Sequence, residues 1–420
     1  MKEINNIASP AIVKKPELVA PAGDVEKLRF AYIYGADAAY VGGGGFSLRA
    51  AAGLCLEEIR EARRIADAYQ RRLYVAVNIY ADNQDLDGLT AYLSAVAEIG
   101  PDALIVSDPG VFALARENAP ALPLHISTQA NITNWRAARF WKELGARRAV
   151  LSRELSLAQA AEVGERSGLE TEIFVHGALC VSYSGRCLLS SYLTGRSANQ
   201  GDCCQPCRWK YALVEEQRPG RYLPVGQDER GGYILNSRDL CLIGLVPELM
   251  RCGCDAWKIE GRNKSAYYVA NTTRVFRAAI DSYFRAPEEY RLCPDWQEEL
   301  AKLSHRGYTR GFALDKPDAD AFRYEDGGYI RGYDFAAILW EADGDRLSLE
   351  QRNHFAPGDE LEILLPDGAN LKFPVTALYD QLGAPLAAAN HPRQMVRVPN
   401  PLPVRLSGPL VCRRRIRDAH

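Results

Sequence analysis

Eight short β-rich runs punctuate the first two-thirds of the chain, and most are followed by a segment of helical period. The runs are ELVAPAG (17–23), AAYVGG (38–43), RLYVAVNI (72–79), ALIVSD (103–108), PLHISTQA (123–130), RAVLSRE (148–154), ETEIFVHG (170–177) and AWKIEGR (256–262). Each is apolar and often β-branched, as strands buried on both faces are. Segments such as LEEIREARRIADAYQ and WRAARFWKELGA supply the helices, and Gly closes several of them as a C-cap does. Repeated βα units call for a parallel sheet with right-handed crossovers. The count of eight predicts a (β/α)8 TIM-like barrel over an open doubly wound sheet, the competing arrangement.

The strand ends agree with that reading, because a barrel carries its chemistry at the C-terminal ends of its strands. Asn78, Gln129, Glu154, His176, Glu260 and Arg262 all fall there. One connection is far longer than the roughly 2–6 residues of an ordinary βα loop. It is a Cys-rich insertion, 178–255, before the last strand. KYALVEEQRPGRYLPVGQDERGGYILNS within it reads as a β-hairpin, and LCLIGLVPELMRCG reads as the helix leading into the last strand. The division expected is a barrel over 1–285, a connecting region over 286–335, a small antiparallel β-barrel over 336–412 and a basic tail over 413–420.

Charge and cysteine usage narrow the class. Lys+Arg number 51 against 53 Asp+Glu, so the chain does not coat nucleic acid by bulk charge, although a local basic face remains open. The N-terminal stretch lacks an apolar run long enough for a secretory signal, and no stretch approaches the roughly 20 residues of a membrane span. A cytoplasmic protein with no membrane partner is expected, and a disulfide framework is not. Eight of the 11 cysteines lie between 180 and 254. Thiolates from separated loops suit an iron–sulfur cluster or Zn²⁺. The paired spacing of a zinc ribbon is missing apart from Cys203 and Cys207, which favours the cluster. A Cys nucleophile beside His176 is the rival site. Vicinal Cys203 and Cys204 point different ways in most backbones, so one of them at most is a ligand.

ELVAPAGD, EIFVHGALCVSYSGRCLLSSY, NQGDCCQPCRWKY and DAWKIEGRNKSAYYVA resemble the peptidase U32 family, and within it the branch that makes 5-hydroxyuridine in tRNA. The resemblance covers nearly the whole chain. It implies hydroxylation of the wobble uridine in the anticodon loop, prephenate as hydroxyl source, and a [4Fe–4S] cluster. The cluster ligands it implies are Cys180, Cys187, Cys203 and Cys241, with Cys207 as alternate. It also allows a paralogous subunit as partner. Hydroxylation of ribosomal RNA, a U32-type peptidase and a non-catalytic RNA-binding protein with a structural metal site are the alternatives. No H-E-x-x-H helix or G-x-S-x-G elbow supports the peptidase.

On this reading Arg186, Arg208, Trp209 and Lys210 are candidates to hold RNA. Arg49, Arg153, Arg262 and Lys264 are candidates for carboxylate forks. Asn78 and Gln129 could read a base edge. His176, Glu154 and Glu260 are the acid–base candidates, the two glutamates being equally suited to pair with those arginines.

Overall fold

The computed structural model describes residues 14–47, 53–179, 189–196, 203–206, 212–214, 222–224, 227–228, 231–232, 238–314, 329–367, 369–402 and 405–416. Eight parallel strands form the barrel: β1 (Glu17–Pro21), β2 (Ala38–Gly43), β3 (Arg72–Val77), β4 (Ala103–Val106), β5 (Leu124–Ile126), β6 (Arg148–Val150), β7 (Glu170–Ala178) and β8 (Ala256–Ile259). Each pairs with the next in chain order, and β8 pairs with both β7 and β1, which closes the sheet. The expected (β/α)8 barrel is therefore the fold.

Helices follow the strands because the connecting loops end in good N-caps. Asp24 caps α1 (Val25–Ile33), Asp82 caps α3 (Asn83–Ile99), which follows α2 (Leu56–Ala68), and Asp108 caps α4 (Pro109–Asn118). Asn134 caps α5 (Trp135–Glu143), and Ser156 caps α6 (Leu157–Ser167). Each such cap stabilises a helix by about 1 kcal/mol. α7 (Val246–Cys252) precedes β8, and Ser265 caps α8 (Ala266–Arg285) after it. The helix anticipated from Leu240 starts only at Val246, with Pro247 in its first turn. Asp239–Cys241 instead lies antiparallel on β7. The hairpin anticipated in the insertion is present as Ala212–Val214 against Tyr222–Pro224. Among the described residues no helix is long and apolar enough to cross a membrane.

Strand alternation splits the buried apolar residues into two sets. Leu18, Val41, Val75, Leu104 and Trp257 pack outward into the helix layer. Val19, Ala38, Tyr40, Tyr74, Ala76, Ala103, Ile105 and Ala256 form a separate cluster inside the barrel. Four of those eight are alanines, and the space they leave admits charge. Arg148 Nη1 lies 2.6 Å from Glu17 and 3.1 Å from Glu172, whose other oxygen lies 2.6 Å from Lys258 Nζ. Burial would raise the Glu172 carboxyl, but Lys258 and Arg148 outweigh it and hold it down at about 2.

The C-terminal part is a six-stranded antiparallel sheet. Its strands are β9 (Tyr333–Asp343), β10 (Arg346–Gln351), β11 (Glu360–Ile363), β12 (Leu371–Pro374), β13 (Met395–Pro399) and β14 (Leu406–Arg415), in the order β12-β11-β14-β9-β10-β13. β14 corrects the expected basic tail, because Arg413 to Arg415 lie in that strand. Arg413 is fully buried, and Glu299 and Glu362 satisfy its guanidinium at 2.6 and 2.7 Å. Arg274 joins Glu299 at 2.5 Å, so α8 and the C-terminal sheet share one ionic cluster. The Tyr34 hydroxyl of the barrel also donates to Leu364 O and accepts from Val411 N.

Candidate active site at the barrel mouth

A cavity of about 100 Å³ opens at the C-terminal ends of the barrel strands. Its lining includes Asn78, Gln129, Arg153, Glu260 and Arg262, which the sequence had marked, together with Tyr40, Ser127, Phe174 and Lys258. The fold brings these groups together from six strands or the loops just after them.

Each polar group is held in place. Asn78 Nδ2 donates to Ser127 Oγ at 3.1 Å, and its carbonyl accepts from Ser107 Oγ at 2.9 Å. Gln129 is anchored through its backbone carbonyl, which accepts from the Tyr80 hydroxyl. Arg153 stacks 3.9 Å from the Phe174 ring and donates to Ala178 O at 3.0 Å. Arg262 is buried, with Nη1 3.4 Å from Ser47 Oγ. The Tyr40 hydroxyl donates to Glu260 Oε2 at 2.9 Å. Lys258 Nζ lies 4.1 Å from the centre of the Tyr40 ring, a cation–π contact that fixes it beneath the mouth. Gly177, with φ of 117°, lets β7 pass close to β8, since a Cβ there would collide with the Glu260 carbonyl.

Other candidates lie elsewhere. His176 is buried among Tyr268, Phe276 and Tyr308, with Nδ1 3.0 Å from the Tyr268 hydroxyl and no hydrogen-bond partner for Nε2 among the described residues. Burial lowers its imidazole to about 3, so it is neutral and outside the cavity lining. Glu154 is half-buried in the turn after β6 and does not line the cavity. Lys264 reaches Ser304 O at 3.4 Å and lies near the Tyr329 ring. Arg49, Arg186, Arg208, Trp209, Lys210, Cys180, Cys187 and Cys207 lie outside the described residues.

Two of the four cysteines proposed to hold a cluster are described, and neither is in a disulfide. Cys203 is exposed, while Cys241 is half-buried in the short strand opposite His176. Burial pushes the Cys241 thiol up to about 12, so holding it as a thiolate requires a cation, which a bound metal supplies. Cys204 sits 3.2 Å from both Ser190 Oγ and Thr194 Oγ1. Among the described residues no three His, Cys, Asp or Glu side chains form a metal-binding group.

The fold and mouth define a barrel protein whose cavity mixes polar and apolar groups and carries three cations, Arg153, Lys258 and Arg262. Its described lining contains no histidine or cysteine to pair as nucleophile and base. The chain belongs to peptidase family U32: that family's profile matches residues 23–323, and the profile of the peptidase family U32 C-terminal domain matches residues 331–407. The chain is 39% identical to tRNA hydroxylation protein P1 of Bacillus subtilis, over 92% of each chain. It is 38% identical to tRNA hydroxylation protein P of Escherichia coli, over 95% of this chain and 97% of that one. It is 33% identical to the 23S rRNA 5-hydroxycytidine C2501 synthase of Escherichia coli, over 83% of this chain and 52% of that one.

Proposed function

We propose that this protein is an RNA-modifying hydroxylase acting on tRNA. The specific reaction we infer is conversion of the wobble uridine to 5-hydroxyuridine, with prephenate as hydroxyl source. The observation that carries the reading is full-length similarity to two tRNA hydroxylation proteins, extending across both the barrel and the C-terminal sheet. The cavity supports it in kind. Asn78 and Gln129 offer amide groups to a base edge, and Arg153, Arg262 and Lys258 offer cations to the carboxylates of a small acid. An anticodon base already sits in a single-stranded loop, so little stacking is lost when it enters a barrel mouth.

A [4Fe–4S] cluster would be held by Cys180, Cys187, Cys203 and Cys241, with Cys207 as alternate. When bound, it supplies redox chemistry that ring hydroxylation needs and that acid–base groups alone lack. This chain's own residues bind and orient: Glu260, fixed by Tyr40, is placed to accept a proton at its carboxylate. A cytoplasmic location is consistent with such a substrate.

Nucleoside mass spectrometry of tRNA from a deletion strain lacking any paralogue tests the reading. Loss of 5-hydroxyuridine and its derivatives is expected, restored by the wild-type gene. Unchanged tRNA with altered ribosomal RNA would move the substrate to the ribosome. Protein purified without oxygen should be brown, and Cys180→Ala or Cys187→Ala should lose both colour and modification. Colourless, zinc-loaded wild-type protein would overturn the cluster.

A further inference from the structure

The flank of the barrel carries a group of charges that the mouth does not use. Trp135 begins α5, and three guanidiniums gather on its indole. The Cζ atoms of Arg136, Arg139 and Arg166 lie 4.5, 4.8 and 4.1 Å from the ring centre. All three arginines are exposed. Their only carboxylate partner among the described residues is Glu162, 2.5 Å from Arg166. Arg139 donates to the Arg166 carbonyl, and Lys142 Nζ donates to Gly168 O at 2.7 Å, so the cationic strip runs on along the seam of α5 and α6. Phe140 beside it is 56% exposed.

Three like charges around one ring repel one another, and the one carboxylate within ion-pair distance pairs with Arg166 alone. Stacking uses the face of a guanidinium and leaves its in-plane N–H donors available. Those donors match phosphate oxygens in forked geometry. The strip starts on the mouth side at Trp135 and runs along α5 toward Gly168, ahead of β7. Trp135 follows Gln129, which lines the cavity, by six residues, so at most about 22 Å of chain separates them.

We propose that this flank is a second RNA contact, in which Arg136, Arg139 and Arg166 grip backbone phosphates of the tRNA whose loop enters the mouth. The inference rests on the RNA reading above. It gives the near-neutral chain a local cationic face for RNA, built on the helix layer and separate from the insertion.

The test compares wild-type protein with the triple variant Arg136→Gln, Arg139→Gln, Arg166→Gln, using purified bacterial tRNA and a short anticodon stem-loop as probes. Fluorescence anisotropy over a salt series is the readout. For full-length tRNA, affinity should fall at least about tenfold, and the slope of log K against log salt should shrink by about 3. Modification of the short stem-loop should stay unchanged. The matching triple Lys variant should recover most of the slope, because charge is kept while the fork is lost. Unchanged tRNA affinity and slope in the Gln variant would overturn the proposal, including when the strip docks an acidic protein instead. If wild-type protein binds neither probe, the RNA reading itself fails. That outcome is distinct from wild-type binding that the Gln variant leaves intact.

Discussion

Inside the barrel, Glu17, Arg148, Glu172 and Lys258 meet where a barrel of this kind ordinarily stacks apolar side chains. Inside the C-terminal sheet, Ile338, Leu347, Leu349, Phe373, Val396 and Val398 form an apolar interior, and the buried charge lies to one side, where Arg413 meets Glu299 and Glu362. Both regions accept the desolvation of ions, but the barrel holds them in its central interior and the sheet holds them where it meets α8. A buried ion pair seldom stabilises more than apolar packing of the same volume would. The barrel's ladder of charges is therefore better explained by what it positions. Its upper end is Lys258, bonded to Glu172 and stacked on Tyr40 in the lining of the mouth. The sheet's buried Arg413 instead ties it to α8 through Glu299 and Arg274, away from the mouth.

The largest effect should come from breaking that ladder on one side. Glu172→Gln removes the anion that Arg148 and Lys258 share, leaving two buried cations short of a partner. A loss of about 3–5 kcal/mol is expected in urea unfolding. A loss below about 1 kcal/mol would mean that water or a shifted Glu17 already compensates, and the contrast between the interiors would weaken. In the sheet, Leu349→Ala should cost about 3 kcal/mol by leaving a cavity. At low temperature the variant's modification rate should match wild type, since Leu349 touches nothing in the mouth. Acid should act on both regions, because Glu172 in the barrel and Glu299 beside the sheet are both held at about 2. Burial would raise Glu299, but Arg413 and Arg274 hold its carboxyl at about 2, below the ordinary 4.5. Its contribution is complete above about 4.5 and is lost as pH falls toward 2, roughly 3 kcal/mol for this one carboxylate. Melting temperatures across that window should fall less in Arg413→Met protein, which has already lost the partner that acid removes.

How far the sequence foretold this depends on where information is local. All eight barrel strands were legible, because a buried parallel strand is a continuous apolar run that needs no partner to be recognised. The mouth was partly legible for the same reason: strand ends located Asn78, Gln129, Arg153, Glu260 and Arg262. Position alone does not give side-chain direction, so His176 and Lys264, also near strand ends, lie outside the lining. Lys258 and Glu172 were missed because each sits within a largely apolar run, and the partners are 86 residues apart. An inward alternate position carrying a charge was the available signal. β14 was missed because its arginines resemble a solvated tail, and only Glu299 and Glu362 explain how Arg413 is buried.

The smallest expected change in stability is the most informative. In the double variant Glu172→Leu, Lys258→Met, both members of the upper pair are replaced by apolar groups of similar length. Arg148 keeps Glu17 at 2.6 Å and Glu170 at 3.2 Å, so no buried cation is stranded. Unfolding free energy should then stay within about 1 kcal/mol of wild type or rise. Modification should nevertheless fall steeply, because the mouth has lost the cation that the ladder holds there. KM for the small acid should rise more than kcat falls if Lys258 binds a carboxylate in ground and transition states alike. Full activity in a stable double variant would show that the charges inside the barrel do nothing for the mouth. The two interiors would then differ only in composition.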